Sequence, residues 1–260
     1  RNPGQRGKRR KGFDSEGDSV DVEQAFVTYH LSDEEAITAG RFQSMLGLES
    51  KEPTGLYQFS KAYGDDDFLP QYGQGVKYTK QSDDMSYGVS VQDESFDNGS
   101  GRLGGNEPSD GTYSIEAAAS LTSGNITYSL GGAYENGDDD GNIWIVNGHV
   151  LYQSGAWTLG AEYNMGTIEF DGEDEDLTSG LVMANYAYSD CSSVTGRVSF
   201  GDSEGGFSSD SEFIKYTLAH IYAVTDHFAI ITEVSLREDD DAFDSEEETL
   251  QGAVEVLFTF

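Results

Sequence analysis

The chain has 260 residues, with 48 Asp and Glu against 15 Lys and Arg, a formal net charge of −33 and only 36% apolar residues. Its 15 Tyr and 14 Phe are too many for an acidic disordered chain, and its 32 Gly with 4 Pro show no triplet period, which excludes collagen. No run of about 18 apolar residues reads as a transmembrane helix, the acid excess repels nucleic acid, and the single cysteine, Cys191, excludes a disulfide framework or a multi-cysteine metal site.

Residues 1–18 show no alternation and read as a polar loop or tail, holding six of the 15 basic residues: Arg1, Arg6, Lys8, Arg9, Arg10 and Lys11. No charged, apolar and small-residue succession opens the chain, as expected of a mature form, a fragment or a non-secreted protein. From 19 onward, period-2 alternation predicts thirteen strands, at about 20–31, 35–43, 73–80, 84–95, 111–122, 124–135, 142–153, 155–170, 177–188, 191–201, 212–224, 226–237 and 248–260. Along 155–170, Trp157, Leu159, Ala161, Tyr163 and Met165 share one face, with Thr158, Gly160, Glu162, Asn164 and Gly166 opposite. The last segment places Leu250, Gly252, Val254, Val256, Phe258 and Phe260 against Thr249, Gln251, Ala253, Glu255, Leu257 and Thr259. Most of these runs exceed the ~5–6 residues of soluble strands and match the ~9–11 that cross a bilayer at a tilt.

The connections alternate in length. Short ones fall at 32–34, 82–84, 123–124, 154–155, 190–191 and 225–226, and longer acidic, Gly-rich ones at 44–72, 95–110, 135–141, 170–176, 201–211 and 237–247. Tight turns at one end and long loops at the other predict an all-β, transmembrane, antiparallel up-and-down β-barrel of the outer-membrane kind. The first and last predicted strands both run toward the short-turn end. An even barrel then needs one or three further strands upstream, so residues 19–260 read as the C-terminal portion of a larger barrel.

If the apolar face meets lipid, the polar face lines the interior. The pore-lining candidates there are Glu116, His149, Glu162, Arg197, Lys215, Glu233, Arg237 and Glu255. Opposed acidic and basic walls would set up a field across the lumen; the plainer reading is that these groups solvate the interior and pair across strands. Trp144, Tyr134 and Phe170 near one set of strand ends, with Tyr152, Trp157, Tyr186, Tyr188, Phe258 and Phe260 near the other, suggest two aromatic belts. The acidic runs Asp138–Asp140, Glu173–Asp176, Asp239–Asp241 and Glu246–Glu248 lack the spaced pattern of a calcium loop and read as a solvated, self-repelling rim. His30, His149, His220 and His227 fall in no catalytic motif, so no catalytic residue, metal site or cofactor is assigned.

Several stretches carry a resemblance: Gln24-Ala25-Phe26-Val27-Thr28-Tyr29, Ala39-Gly40-Arg41-Phe42, Leu46-Gly47-Leu48-Glu49, Glu52-Pro53 and Phe59-Ser60-Lys61-Ala62-Tyr63. Together they resemble the OmpL-like outer-membrane β-barrel porin family (putative β-barrel porin-2). Met45 stands where that family often has Pro, and Lys61 where it has Arg. The resemblance implies a passive diffusion pore of about sixteen strands. It places a constriction in 44–72, with Glu49, Glu52, Lys61, Asp65, Asp66 and Asp67 as candidates. The expected function is a bacterial outer-membrane porin for passive diffusion of small hydrophilic solutes and ions, with a cation preference. Its partners would be outer-membrane lipid and lipopolysaccharide outside and small solutes or cations inside, with a homotrimer as a candidate assembly. A barrel that sleeves a partner without conducting, or a secreted acidic sandwich, are the alternatives.

Overall fold

The computed structural model describes residues 24–64, 69–93, 95–96, 112–137, 141–170, 172–205, 210–241 and 245–259. Within them lie thirteen strands in one antiparallel sheet, each bonded to its neighbours in the chain. They are β1 (Ala25–His30), β2 (Glu35–Gln43), β3 (Tyr72–Gln81), β4 (Met85–Gln92), β5 (Tyr113–Ser123), β6 (Ile126–Asn136) and β7 (Asn142–Ser154). The remainder are β8 (Trp157–Phe170), β9 (Glu173–Ser189), β10 (Ser192–Glu204), β11 (Ser211–Thr225), β12 (Phe228–Asp241) and β13 (Ser245–Phe258). All thirteen expected strands are present, and the fold is the expected up-and-down barrel wall. The tail 1–18 lies outside the described residues, as do Asp138–Asp140 and Phe260.

Burial is inverted relative to a soluble sheet. Leu250 and Val254 are each 72% exposed and Leu130 65%, whereas Ser114, Asn164 and Thr195 are fully buried. Along β4, Met85, Tyr87, Val89 and Val91 face out, and Gly88, Ser90 and Gln92 face in. Cross-strand registers carry this parity around the wall: Val146 pairs with Met165, Ala161 with Val182 and Leu218 with Val234, all on the outer face. Water would not tolerate so continuous an apolar surface, whereas acyl chains require one, and the ladders from β1 to β13 pair the backbone groups between neighbouring strands. Aromatic pairs cluster at the short-turn end, where Trp157 and Tyr186 lie 4.6 Å apart and Phe228 stacks on Phe258 at 4.8 Å.

The turns Gly124-Asn125, Gly155-Ala156, Asp190-Cys191 and Asp226-His227 join the strands at that end. Gly124 and Gly155 there have φ near +60°, a conformation that suits glycine. Of two connections expected to be long and acidic, the described residues are largely strand. β8 and β9 continue through 170 and from 173, and β12 and β13 through 241 and from 245. Glu169 pairs with Asp174, Glu238 with Glu248, and Asp239 with Glu247. Acidity signalled solvent, and solvent is there, but exposed carboxylates do not interrupt a backbone ladder, so this side of the wall rises above the bilayer as sheet.

Candidate functional site

The described parts of the connection between β2 and β3, 44–64 and 69–71, turn inward and lie along the concave face. Its first stretch is Ser44-Met45-Leu46-Gly47-Leu48, and three inward-facing glycines make room for it. A Cβ on Gly88 would lie 2.5 Å from Met45 Sδ, one on Gly131 2.5 Å from Leu46 Cδ2, and one on Gly160 2.7 Å from Leu48 Cδ2. Wall side chains then take the segment's backbone donors. Met45 N–H donates to Glu116 at 2.5 Å, Ser44 Oγ to the same carboxylate at 2.7 Å, Gly47 N–H to Asn147 Oδ1 at 3.3 Å, and Leu48 N–H to Glu162. An irregular segment inside a barrel has no ladder of its own, so its N–H groups need such acceptors.

The second stretch, 57–63, is held by β10, β11 and β12. Glu233 accepts the N–H of Phe59 at 2.8 Å, the N–H of Ser60 at 2.9 Å and Ser60 Oγ at 2.6 Å. Arg197 bonds Glu49 at 2.5 Å, the Ser60 carbonyl at 2.9 Å, the Lys61 carbonyl at 3.2 Å and Thr217 Oγ1 at 3.1 Å. Lys215 Nζ reaches Ser60 Oγ at 2.8 Å and the Lys61 carbonyl at 3.1 Å. Thr195 and Ser199 donate to the carbonyls of Tyr57 and Ala62, each at 2.8 Å. Tyr63 OH donates to Glu162 at 2.7 Å. Between these polar fixings sits an apolar cluster of Leu46, Ala62, Tyr63 and Leu69 against Ala133, Ile145, Leu181, Met183 and Phe213. Each buried charge thus meets an opposite charge or several dipoles, the condition under which burial is tolerated.

Seven of the fourteen residues anticipated from sequence gather here: Glu49, Lys61, Glu116, Glu162, Arg197, Lys215 and Glu233. The wall members are nearly sealed; Glu116 is 1% exposed and Arg197 2%. Lys61 lies within the segment and bonds Gln71 at 2.9 Å. His149 borders the group, its Nδ1 3.2 Å from Asn147 Oδ1 and 3.9 Å from Glu162. Arg237 reaches the Tyr63 carbonyl at 3.4 Å, covers the Phe213 ring at 3.9 Å and bonds Asp239 at 2.7 Å. Two candidates stand apart. Glu52 sits beside the ends of β2 and β3, bonded to Gln24, Gln43 and Tyr72, and Glu255 stands half-exposed on the inward face of β13. Asp65, Asp66 and Asp67 lie outside the described residues.

Sequence reasoning missed Asn147, Asn164 and Glu135. Asn164 bridges Tyr63 OH and Ser179 Oγ, each at 3.1 Å. Glu135 on β6 accepts the N–H groups of Ser95 at 2.6 Å and Phe96 at 3.2 Å, so the start of the β4–β5 connection also turns inward. Parity alone places Glu135 and Asn164 on the polar face; what it does not reveal is a partner arriving from another part of the chain. Among the described residues, no three His, Cys, Asp or Glu side chains are grouped to hold a metal ion.

Residues 2–260 match the family model described as putative beta-barrel porin-2, OmpL-like. Among solved structures, the chain is similar to the outer membrane channel DcaP of Acinetobacter baumannii, with 14% identity, 87% of this chain and 74% of that one covered, and a TM-score of 0.67. It is similar to an anion-selective porin from Comamonas acidovorans at 13% identity, covering 87% and 71%, with a TM-score of 0.64. A loop-deletion mutant of OmpT, an outer membrane protein of Vibrio cholerae, is similar at 13% identity, covering 86% and 76%, also with a TM-score of 0.64. At these identities the likeness is one of fold. No curated relative matches the chain in sequence.

Proposed function

Because the chain belongs to the putative beta-barrel porin-2, OmpL-like family, outer-membrane porin channels of bacteria, we propose that it passes small hydrophilic solutes and ions by passive diffusion, with a preference for cations. The observation that carries this reading is the inverted wall, apolar outside and polar inside, narrowed by a segment fastened across its inner face. Glu116, Glu162, Glu233, Arg197 and Lys215 act as fastenings of the constriction, while Glu255, His149 and Arg237 border the remaining lumen. The cation preference comes from the rim, where acidic residues outnumber basic ones and attract counter-ions within a Debye length of ~8–10 Å. The reading involves no catalytic step. Residues 19–260 are proposed to form the C-terminal portion of the barrel, and a homotrimer in lipopolysaccharide-bearing membrane is its proposed assembly.

Planar-bilayer recording tests this. The reconstituted chain should give steady channels whose reversal potential in a KCl gradient has the sign of cation flow, with the preference shrinking toward molar salt. A reversal potential of anion sign would overturn the preference. A second reading, a barrel without open-channel activity, draws on the buried apolar cluster around Leu46, Tyr63 and Leu69 inside the lumen. It predicts a folded, inserted protein with no steady conductance.

A further inference from the structure

The inward segment divides the lumen unequally. Toward β6–β11 it lays down the apolar cluster, with Leu181 2% exposed and Ala62 fully buried, and Glu162, Arg197 and Lys215 of that half bond its backbone. Toward the short-turn end of β1–β5, a cavity of about 440 Å³ remains, within the ~300–1,000 Å³ common for small-molecule sites. Its inward lining is rich in hydroxyls, from Thr28, Thr38, Thr79, Ser86 and Ser120. Met45, packed on Gly88, and Ala118 add a small apolar surface to the lining. Thr28 and Thr38 hydroxyls lie 2.9 Å apart, and those of Ser120 and Ser129 2.7 Å. A hydroxyl in one such pair still has bonding capacity for a guest. Ionisable groups sit at the mouth, where Lys80 is paired with Glu35 at 3.3 Å.

Resting on the channel reading, we infer that solutes pass on the β1–β5 side of the inward segment, and that this cavity is a station for small uncharged polyhydroxylated solutes of monosaccharide size. Such a solute exchanges its water bonds for wall hydroxyls at little net cost and lays a C–H face against Met45 and Ala118. An ion meets ionisable groups at the mouth, His30, Asp33, Glu34, Glu35 and Lys80, and none among the hydroxyls deeper in to replace its hydration.

The test uses the full chain carrying Cys191→Ser, with single cysteines at Met45, Ala118 or Leu181, reconstituted in planar bilayers. A charged methanethiosulfonate should lower conductance by about two-fold or more at Met45→Cys and Ala118→Cys and leave Leu181→Cys unchanged. Block at Leu181→Cys alone, or at none of the three, overturns the assigned side. In liposome swelling, glucose should permeate faster than gluconate. Thr38→Val combined with Ser120→Val should lower the ratio of glucose permeation to KCl conductance by about three-fold, the worth of one lost hydrogen bond. An unchanged ratio overturns the station. Absence of conductance in the unsubstituted chain instead overturns the channel reading itself.

Discussion

Arg197 shows how one side chain fastens the constriction. Its planar guanidinium spreads bonds over Glu49, two segment carbonyls and Thr217, a geometry that a lysine ammonium cannot reproduce. Arg197→Met leaves Glu49 with the Gln58 amide and the Ala62 N–H as remaining donors. Removing one member of a buried pair costs about 3–5 kcal/mol. The expected result is release of 57–63, read as a new tryptic cut after Lys61 in detergent micelles; resistance equal to that of the unsubstituted chain would refute it. The wall glycines work by absence. Gly160→Leu drives a side chain into Leu48 and Met183, already 2.7 and 3.1 Å from a Cβ, so overpacking of about 1–3 kcal/mol should displace the segment and change single-channel conductance. Gly155→Ala, in a turn with nothing within 4 Å, should cost about 1 kcal/mol through φ alone and leave conductance as it was.

At the scale of strands, the tall acidic edge is held together against its own charge. Glu238 faces Glu248, Asp239 faces Glu247, and Glu212 faces Asp240 across adjacent ladders. Each directly opposed like pair destabilises by about 0.2–1 kcal/mol. Raising salt from about 10 to 150 mM shortens the screening length from ~30 to ~8 Å, so the thermal midpoint should rise with salt. Glu248→Lys should raise it at low salt and flatten the dependence; a midpoint that falls with salt would contradict this account. Strand number, parity and the short turns were legible in the sequence because a wall between two solvents enforces period 2 along most of each strand. The extension of β9, β12 and β13 through acidic residues was not, since backbone ladders are indifferent to the charge of exposed side chains. At the site, Glu116, Glu162 and Glu233 could be read as inward-facing. Their role as acceptors for Met45, Leu48, Phe59 and Ser60 could not, because those bonds join residues that no local pattern relates.

For the molecule as a whole, the apolar band and the polar interior are two sides of one alternation, so a single substitution tests which solvent lies where. Leu218 is 58% exposed and sits beside Val234 in mid-band. Leu218→Arg should cost about 2–4 kcal/mol near the bilayer midplane and lower the yield of heat-modifiable, folded protein in lipid vesicles, whereas Leu218→Met should fold like the unsubstituted chain. Equal yields from the two would mean that this face does not meet hydrocarbon.

The bonds from the Phe59 N–H to Glu233 and from Arg237 to the Tyr63 carbonyl each span 174 positions of sequence. A growing wall that has reached only β9 has nowhere to fix Ser60, Lys61 or Tyr57, because β10, β11 and β12 supply those anchors. The strap must therefore close late, after nearly every strand is in register, and loops joined over such distances form slowly. Its closure doubles as a certificate of completed assembly: a barrel that stalls before its final strands keeps an unlatched, protease-sensitive throat.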